Sequence, residues 1–202
     1  FENEHLTYWC GQADAAYAPK AKRCRRHVLW IKRHASFLLI DELEAAPEDP
    51  VSMQWNVHAW SPFAVDQQRH QFAVERDDHR VVGHMLWHAD GFFTVADHAD
   101  PPPIGGMSSN VESSSHEAEW HLRYTPWGLV EQTRNLGVLL CPALPDEQPT
   151  KWEIERKATA TQARRNDVLI EVMAEACLVG SDHTIAQLQF DNLTCLIGEG
   201  QI

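Results

Sequence analysis

Apolar and polar residues alternate along much of this chain with a period of two. Val51, Met53, Trp55, Val57 and Ala59 are interleaved with Ser52, Gln54, Asn56, His58 and Trp60. Ala118, Trp120, Leu122 and Tyr124 alternate with Glu117, Glu119, His121 and Arg123. The same rhythm returns at Val168, Ile170 and Val172, and at Leu193, Cys195 and Ile197. Successive side chains of a β-strand point to opposite faces, so each segment is expected to bury one face and offer the other to water or a partner. Further strands are predicted over 26–32, 36–43, 71–75, 80–88, 92–96, 136–141, 151–156 and 185–190. Polar breaks of the hairpin kind separate them, among them Glu48-Asp49-Pro50, Asp77-Asp78, Asp90-Gly91 and Asp191-Asn192. Helix evidence is thin: 158–172 contains Val-Leu-Ile-Glu-Val, which suits a strand better. The pattern predicts an all-β protein, an antiparallel β-sandwich of about ten to thirteen strands forming a single domain over 1–202.

Composition narrows the function. A chain of 202 residues that is 44% hydrophobic fills one core, and eight Trp with 23% charged residues exclude a disordered chain. No apolar run approaches the roughly 20 residues that span a bilayer, so no membrane span is expected. The formal charge of −12 argues against a sequence-independent nucleic-acid binder. That charge is uneven. Lys20, Lys22, Arg23, Arg25, Arg26, Lys32 and Arg33 place seven of the seventeen bases in fourteen acid-free residues, leaving ten bases against twenty-nine acids elsewhere, or −19. The run reads either as solvated edge-strand charge or as an anchor for an acidic ligand or an acidic neighbouring domain. The five Cys are odd in number and include no C-x-x-C pair, which disfavours a zinc ribbon or a redox pair and leaves Cys10–Cys24 as a candidate bridge. The chain opens at Phe1 without Met or an export leader and is expected to be a piece of something longer.

Candidate chemistry is sparse. His84, His88 and Asp90 lie close in sequence, as do His98 and Asp100. Histidines four apart on a strand stand roughly 13 Å from each other, too far to share one ion. No Gly-x-Ser-x-Gly elbow is present, and Gly105-Gly106 lacks the strand-to-helix setting of a phosphate cradle. The long interruption at 100–115 reads as a surface loop or as one that meets substrate or a second domain. The polar face of the 51–60 segment is more telling. Gln54, Asn56, His58 and Trp60 combine amides, an imidazole and an aromatic plane, the mix that binds sugar hydroxyls and stacks on sugar CH faces.

The first sixty residues carry a resemblance. Tyr8-Trp9-Cys10-Gly11-Gln12-Ala13-Asp14-Ala15-Ala16-Tyr17 leads into Arg25-Arg26-His27-Val28-Leu29-Trp30-Ile31-Lys32, then Phe37-Leu38-Leu39-Ile40-Asp41-Glu42-Leu43 and Gln54-Trp55-Asn56-Val57-His58. This succession resembles the C-terminal β-sandwich region of heparinase II/III-like polysaccharide lyases. Phe93-Thr94-Val95, Asp100-Pro101-Pro102-Pro103 and Trp120-His121-Leu122-Arg123 are similar to later strands of that family.

The resemblance implies a secreted or periplasmic parent whose N-terminal helical toroid holds a catalytic Tyr and His. Such enzymes cleave uronic-acid polysaccharides by β-elimination, which needs a positioned base and acid beside the sugar ring. It also implies, in several members, a divalent metal held by two His and an Asp, including the His of a His-Asn-Thr segment. That segment is absent here, so no catalytic residue, metal ligand or cofactor is assigned to this chain. Asp41 and His58 match the family as strand markers, Asp41 as a hairpin-end residue bonded to backbone. The expected role is a non-catalytic domain that braces the toroid and forms part of the cleft for an acidic polysaccharide. Arg25, Arg26, Asn56, His58 and Trp60 are its substrate-facing candidates. The alternatives are an autonomous carbohydrate-binding module using Trp60, Trp87 and Trp127, and a complete small lyase or epimerase with Tyr and His in the sandwich.

Overall fold

The computed structural model describes residues 2, 4–46, 48, 50–87, 90–97, 119–143, 152–156, 160–165, 168–173, 184–190 and 193–199. The strands in them are β1 (Leu6–Gln12), β2 (Ala21–Ile31), β3 (Ser36–Ala45), β4 (Trp55–Ala59), β5 (Phe63–Asp66), β6 (Gln71–Arg76), β7 (His79–Trp87), β8 (Gly91–Ala96), β9 (Trp120–Pro126), β10 (Thr133–Ala143), β11 (Glu153–Arg156), β12 (Ala160–Arg165), β13 (Val168–Met173), β14 (Thr184–Phe190) and β15 (Leu193–Glu199). One short helix, α1 (Asp14–Tyr17), lies in the β1–β2 connection. The strands form a seven-stranded sheet ordered β1-β2-β3-β10-β7-β6-β5, a five-stranded sheet ordered β11-β12-β13-β15-β14, and a three-stranded sheet ordered β4-β9-β8. Every strand pair is antiparallel, as the sequence predicts.

The seven-stranded sheet is the middle layer. One of its faces packs Leu6, Leu29, Ile31, Leu38, Ile40, Leu86, Leu139 and Cys141 against Trp152, Ala163 and Ile170 of the five-stranded side. Its other face packs Leu43, Phe72, Met85, Leu136 and Val138 against Met53, Trp55, Phe93, Leu122 and Tyr124 of the three-stranded side. A central strand covered on both faces has no polar face to show, which explains the continuous run Leu136-Gly137-Val138-Leu139-Leu140-Cys141 in β10. β4, at the edge of the three-stranded sheet, keeps its alternation. Leu38, Ile40 and Leu139 are fully shielded from water, and burying each such side chain contributes about 2–3 kcal/mol. The Cys141 thiol is pushed up to about 12 by burial, so it stays protonated and inert.

Arg156 joins two layers. From β11 its Nη2 donates to the carbonyls of Met85 at 2.8 Å and Arg69 at 3.1 Å. Burial holds this guanidinium below its ordinary pKa. No helix among the described residues is long and apolar enough to cross a membrane.

Cys10 and Cys24 are both free thiols, so the candidate bridge is not formed. The hairpin register explains why: Cys10 stands opposite His27, three residues beyond Cys24 along β2. His88, His98, Asp100 and the 100–115 interruption lie outside the described residues.

Candidate functional site

A cleft of about 840 Å³ opens between the β1–β2 connection and the segment that enters β4. Gln12, Tyr17 and Lys20 form one wall, and Ser52, Gln54 and Asn56 the other, over a floor that includes Arg25, Arg26, Asp41 and Glu42. Local chemistry fixes both walls. Asp14 of α1 accepts a 2.7 Å hydrogen bond from the Cys24 backbone N–H and a 3.3 Å contact from Arg25 Nη2. The backbone N–H, then Arg25, holds the Asp14 carboxyl below its usual range. The opposite wall is pinned by Val51 and Val130, which exchange backbone hydrogen bonds of 2.8 and 3.2 Å.

Three of the five predicted substrate-facing residues, Arg25, Arg26 and Asn56, therefore line one cleft. His58 and Trp60 do not. His58 stands on the solvent face of the three-stranded sheet and Trp60, 52% exposed, follows the end of β4. Asn56 connects the two regions, since its Oδ1 accepts from Arg123 Nε at 3.4 Å on that same outer face. Strand direction places Arg26 and Trp30 on one face of β2 and Arg25 and His27 on the other.

The basic run looks different once folded. β2 lies between β1 and β3, so it is no sheet edge, and the edge-strand reading is corrected. The β2–β3 register sets Arg23, Arg25 and Arg26 opposite Glu44, Glu42 and Asp41. Arg26 grips Asp41 through two hydrogen bonds of 2.6 and 2.7 Å, and Arg23 reaches Glu42 at 2.8 Å. Lys22 pairs with Glu44 at 3.4 Å and Lys32 with Glu2 at 2.6 Å. Asp41 thus sits inside β3 and binds a guanidinium, not a hairpin backbone as its place in the motif suggests. Its carboxylate raises the Arg26 pKa further. Lys20 is exposed, lines the cleft and has no ion pair among the described residues.

A Tyr–His pair lies in the sandwich itself. Tyr8 Oη is 2.9 Å from His27 Nδ1, and His27 Nε2 is 3.7 Å from Glu42. Burial lowers the His27 pKa and raises that of Tyr8. A phenol held protonated makes a poor base at neutral pH, which weighs against the small-lyase alternative. Of the aromatics proposed for a binding module, Trp127 is 61% exposed and packs against Phe92 at 4.9 Å between ring centroids. Trp87 is instead half-buried, packed against the inner core.

The outer face of the three-stranded sheet holds a second polar group. β4 and β9 place His58 opposite His121, with ring centroids 4.1 Å apart. Glu119, two residues before His121, reaches His58 Nδ1 at 3.2 Å and His121 Nε2 at 3.9 Å. His121 and Glu119 were visible in sequence as one polar strand face, but their meeting with His58 depends on β4–β9 pairing across some sixty residues.

Solved structures that share this fold are polysaccharide lyases. Two of them are structures of heparan sulfate lyase HepC from Pedobacter heparinus. A mutant of it aligns with a TM-score of 0.55 and 14% identity, covering 82% of this chain and 25% of that one. HepC without the mutation gives 0.54 and 15% over the same shares. At this identity the likeness is one of fold, and it agrees with the heparinase-like β-sandwich expected from the sequence. The chain spans about a quarter of the length of those structures. No protein-family model and no curated protein matches the sequence.

Proposed function

We propose that this chain is the non-catalytic β-sandwich domain of a heparinase II/III-like polysaccharide lyase that cleaves uronic-acid polymers by β-elimination. It braces a helical toroid domain and supplies one wall of the substrate cleft. The parent is a secreted or periplasmic protein. The observation that carries this reading is the cleft itself, whose amides (Gln12, Gln54, Asn56) suit hydroxyls and whose Lys20 suits a carboxylate or sulfate. The arginines below contribute a preorganised floor, because their charges are already matched by Asp14 and Asp41.

The pairing decides which variant tests the idea. Reversing Arg25 or Arg26 would leave Asp14 or Asp41 facing a like charge and disturb the hairpin, whereas Lys20 can be changed without cost to the fold. Lys20→Ala is expected to weaken retardation of the protein in heparin affinity gels about three- to fivefold, as fits one exposed ionic contact of up to about 1 kcal/mol. The thermal midpoint should not move. Retardation equal to that of the wild type would remove the cleft from the binding surface. The isolated chain should also yield no unsaturated product from uronate polymers by ultraviolet absorbance, and steady turnover would overturn the non-catalytic assignment. The module alternative draws on the exposed Trp60: strong binding to a neutral glycan, lost in Trp60→Ala, would favour it.

A further inference from the structure

The geometry points to a divalent transition-metal site formed by His58, Glu119 and His121, separate from the cleft. Their ligand atoms, one ring nitrogen from each imidazole and one carboxylate oxygen, all lie within 4.8 Å of one another. On a four-coordinate zinc with bonds of about 2.0–2.2 Å, neighbouring donors are about 3.3–3.5 Å apart. His58 Nδ1 lies 3.2 Å from Glu119 Oε1 and His121 Nε2 lies 3.9 Å from Oε2, so the carboxylate bridges the two rings and a turn of these side chains would draw all three onto one ion.

Sheet geometry explains why the donors converge. His58 and His121 are directly opposed residues of an antiparallel pair, the position at which side chains approach most closely. Glu119 and His121 are two apart along one chain, so they project from the same face. A hydrogen bond between Glu119 and one imidazole would account for that pair alone. It leaves unexplained why a second imidazole is turned against the first, at 4.1 Å between centroids, toward the same carboxylate.

Two imidazoles and a carboxylate suit zinc and its first-row neighbours and disfavour calcium and magnesium, which take all-oxygen shells. His58 and Glu119 keep side-chain exposures of 51% and 48%, so the remaining coordination position faces solvent and takes water or an outside carboxylate. The ion would clip β4 to β9.

The test is zinc titration of the whole chain by calorimetry in zinc-buffered solution, with Co²⁺ replacing Zn²⁺ for visible spectroscopy. The expected result is one ion per chain, a raised thermal midpoint, and cobalt d–d bands of a low-coordinate nitrogen and oxygen site. His58→Ala, Glu119→Gln and His121→Ala should each weaken binding by about a hundredfold, at or beyond what loss of an outer-shell partner causes. His79→Ala, an exposed histidine elsewhere, should leave it intact. His121 is the least exposed of the three, so if His121→Ala misfolds, His58→Ala decides. Absence of stoichiometric zinc binding, or binding that survives His58→Ala in a folded protein, overturns the site.

Discussion

Gly83→Ala should destabilise this protein by about 3 kcal/mol, at the upper end of the cost of overpacking a core. Gly83 sits in β7 directly opposite Phe72 of β6, and the far end of the Phe72 ring, Cζ and both Cε atoms, occupies the space where a Cβ would stand. The ring cannot withdraw. Phe72 is fully buried, with Trp55 at 5.6 Å, Phe93 at 5.9 Å and Phe63 at 6.0 Å between centroids. These rings join the seven-stranded sheet to the three-stranded one, so displacing Phe72 loosens the seam between the two layers. The measurement is a urea or thermal unfolding curve, and the midpoint should fall by about 6–12 °C for a chain of this size. Phe72→Leu placed on top of Gly83→Ala should recover part of the loss by relieving the clash. A Gly83→Ala protein as stable as the wild type would show that the ring moves freely and that this seam is loosely packed.

The second large effect is acid sensitivity, and it comes from the next residue. His84 is buried beside the layer-joining Arg156, and burial first, then the Arg156 charge, lowers its pKa from 6.5 to about 4. The folded protein therefore holds His84 neutral. Above pH 6.5 the ring is neutral in both folded and unfolded chains and contributes no pH dependence. Between pH 6.5 and about 4 the unfolded chain takes up a proton that the folded one refuses, so stability falls as the pH falls. Across that window the loss is about 3 kcal/mol. His27 and His70, also lowered by burial, act in the same direction. Replacing His84 with leucine should remove its share: unfolding midpoints in urea at neutral and mildly acid pH should differ less in His84→Leu than in the wild type. Equal acid losses in the two proteins would mean that the ring is protonated in the folded state.

How much of this was legible in the sequence depended on how local each signal was. Strands with one wetter face declared themselves through alternation, as at β4 and β9. β1 carries a motif but not the pattern of a strand, because Tyr8-Trp9-Cys10-Gly11 breaks the alternation and contains a glycine. β5 escaped because four residues are too few to show a period, and β12 because Ala-Thr-Gln-Ala-Arg-Arg has weak strand propensity. Such short or atypical strands raise the count among the described residues to fifteen. The third layer was not readable at all, since alternation tells which residues are buried but not against which sheet.

Among the candidate site residues, Arg25, Arg26 and Asn56 line one cleft, but the electrostatics of the arginines could not be read from the sequence. The charge of a segment was summed along the chain, while Asp41, Glu42 and Glu44 neutralise it across a hairpin. The pairing of His58 with His121 was out of reach for the same reason: contact between strands distant in sequence leaves no mark in either one alone.

The ladder of ion pairs between β2 and β3 has a kinetic consequence. With the basic run cancelled at short range, an approaching polyanion meets the field of a molecule of formal charge −12, not of a cationic patch. Encounter is then slowed by long-range repulsion, and capture begins only within about one Debye length of Lys20. Added salt should speed association while shortening the life of the complex, so that stopped-flow association rates climb with ionic strength even as affinity declines. Under the function proposed above, such a cleft would favour chains delivered by a tethered domain over those arriving freely by diffusion.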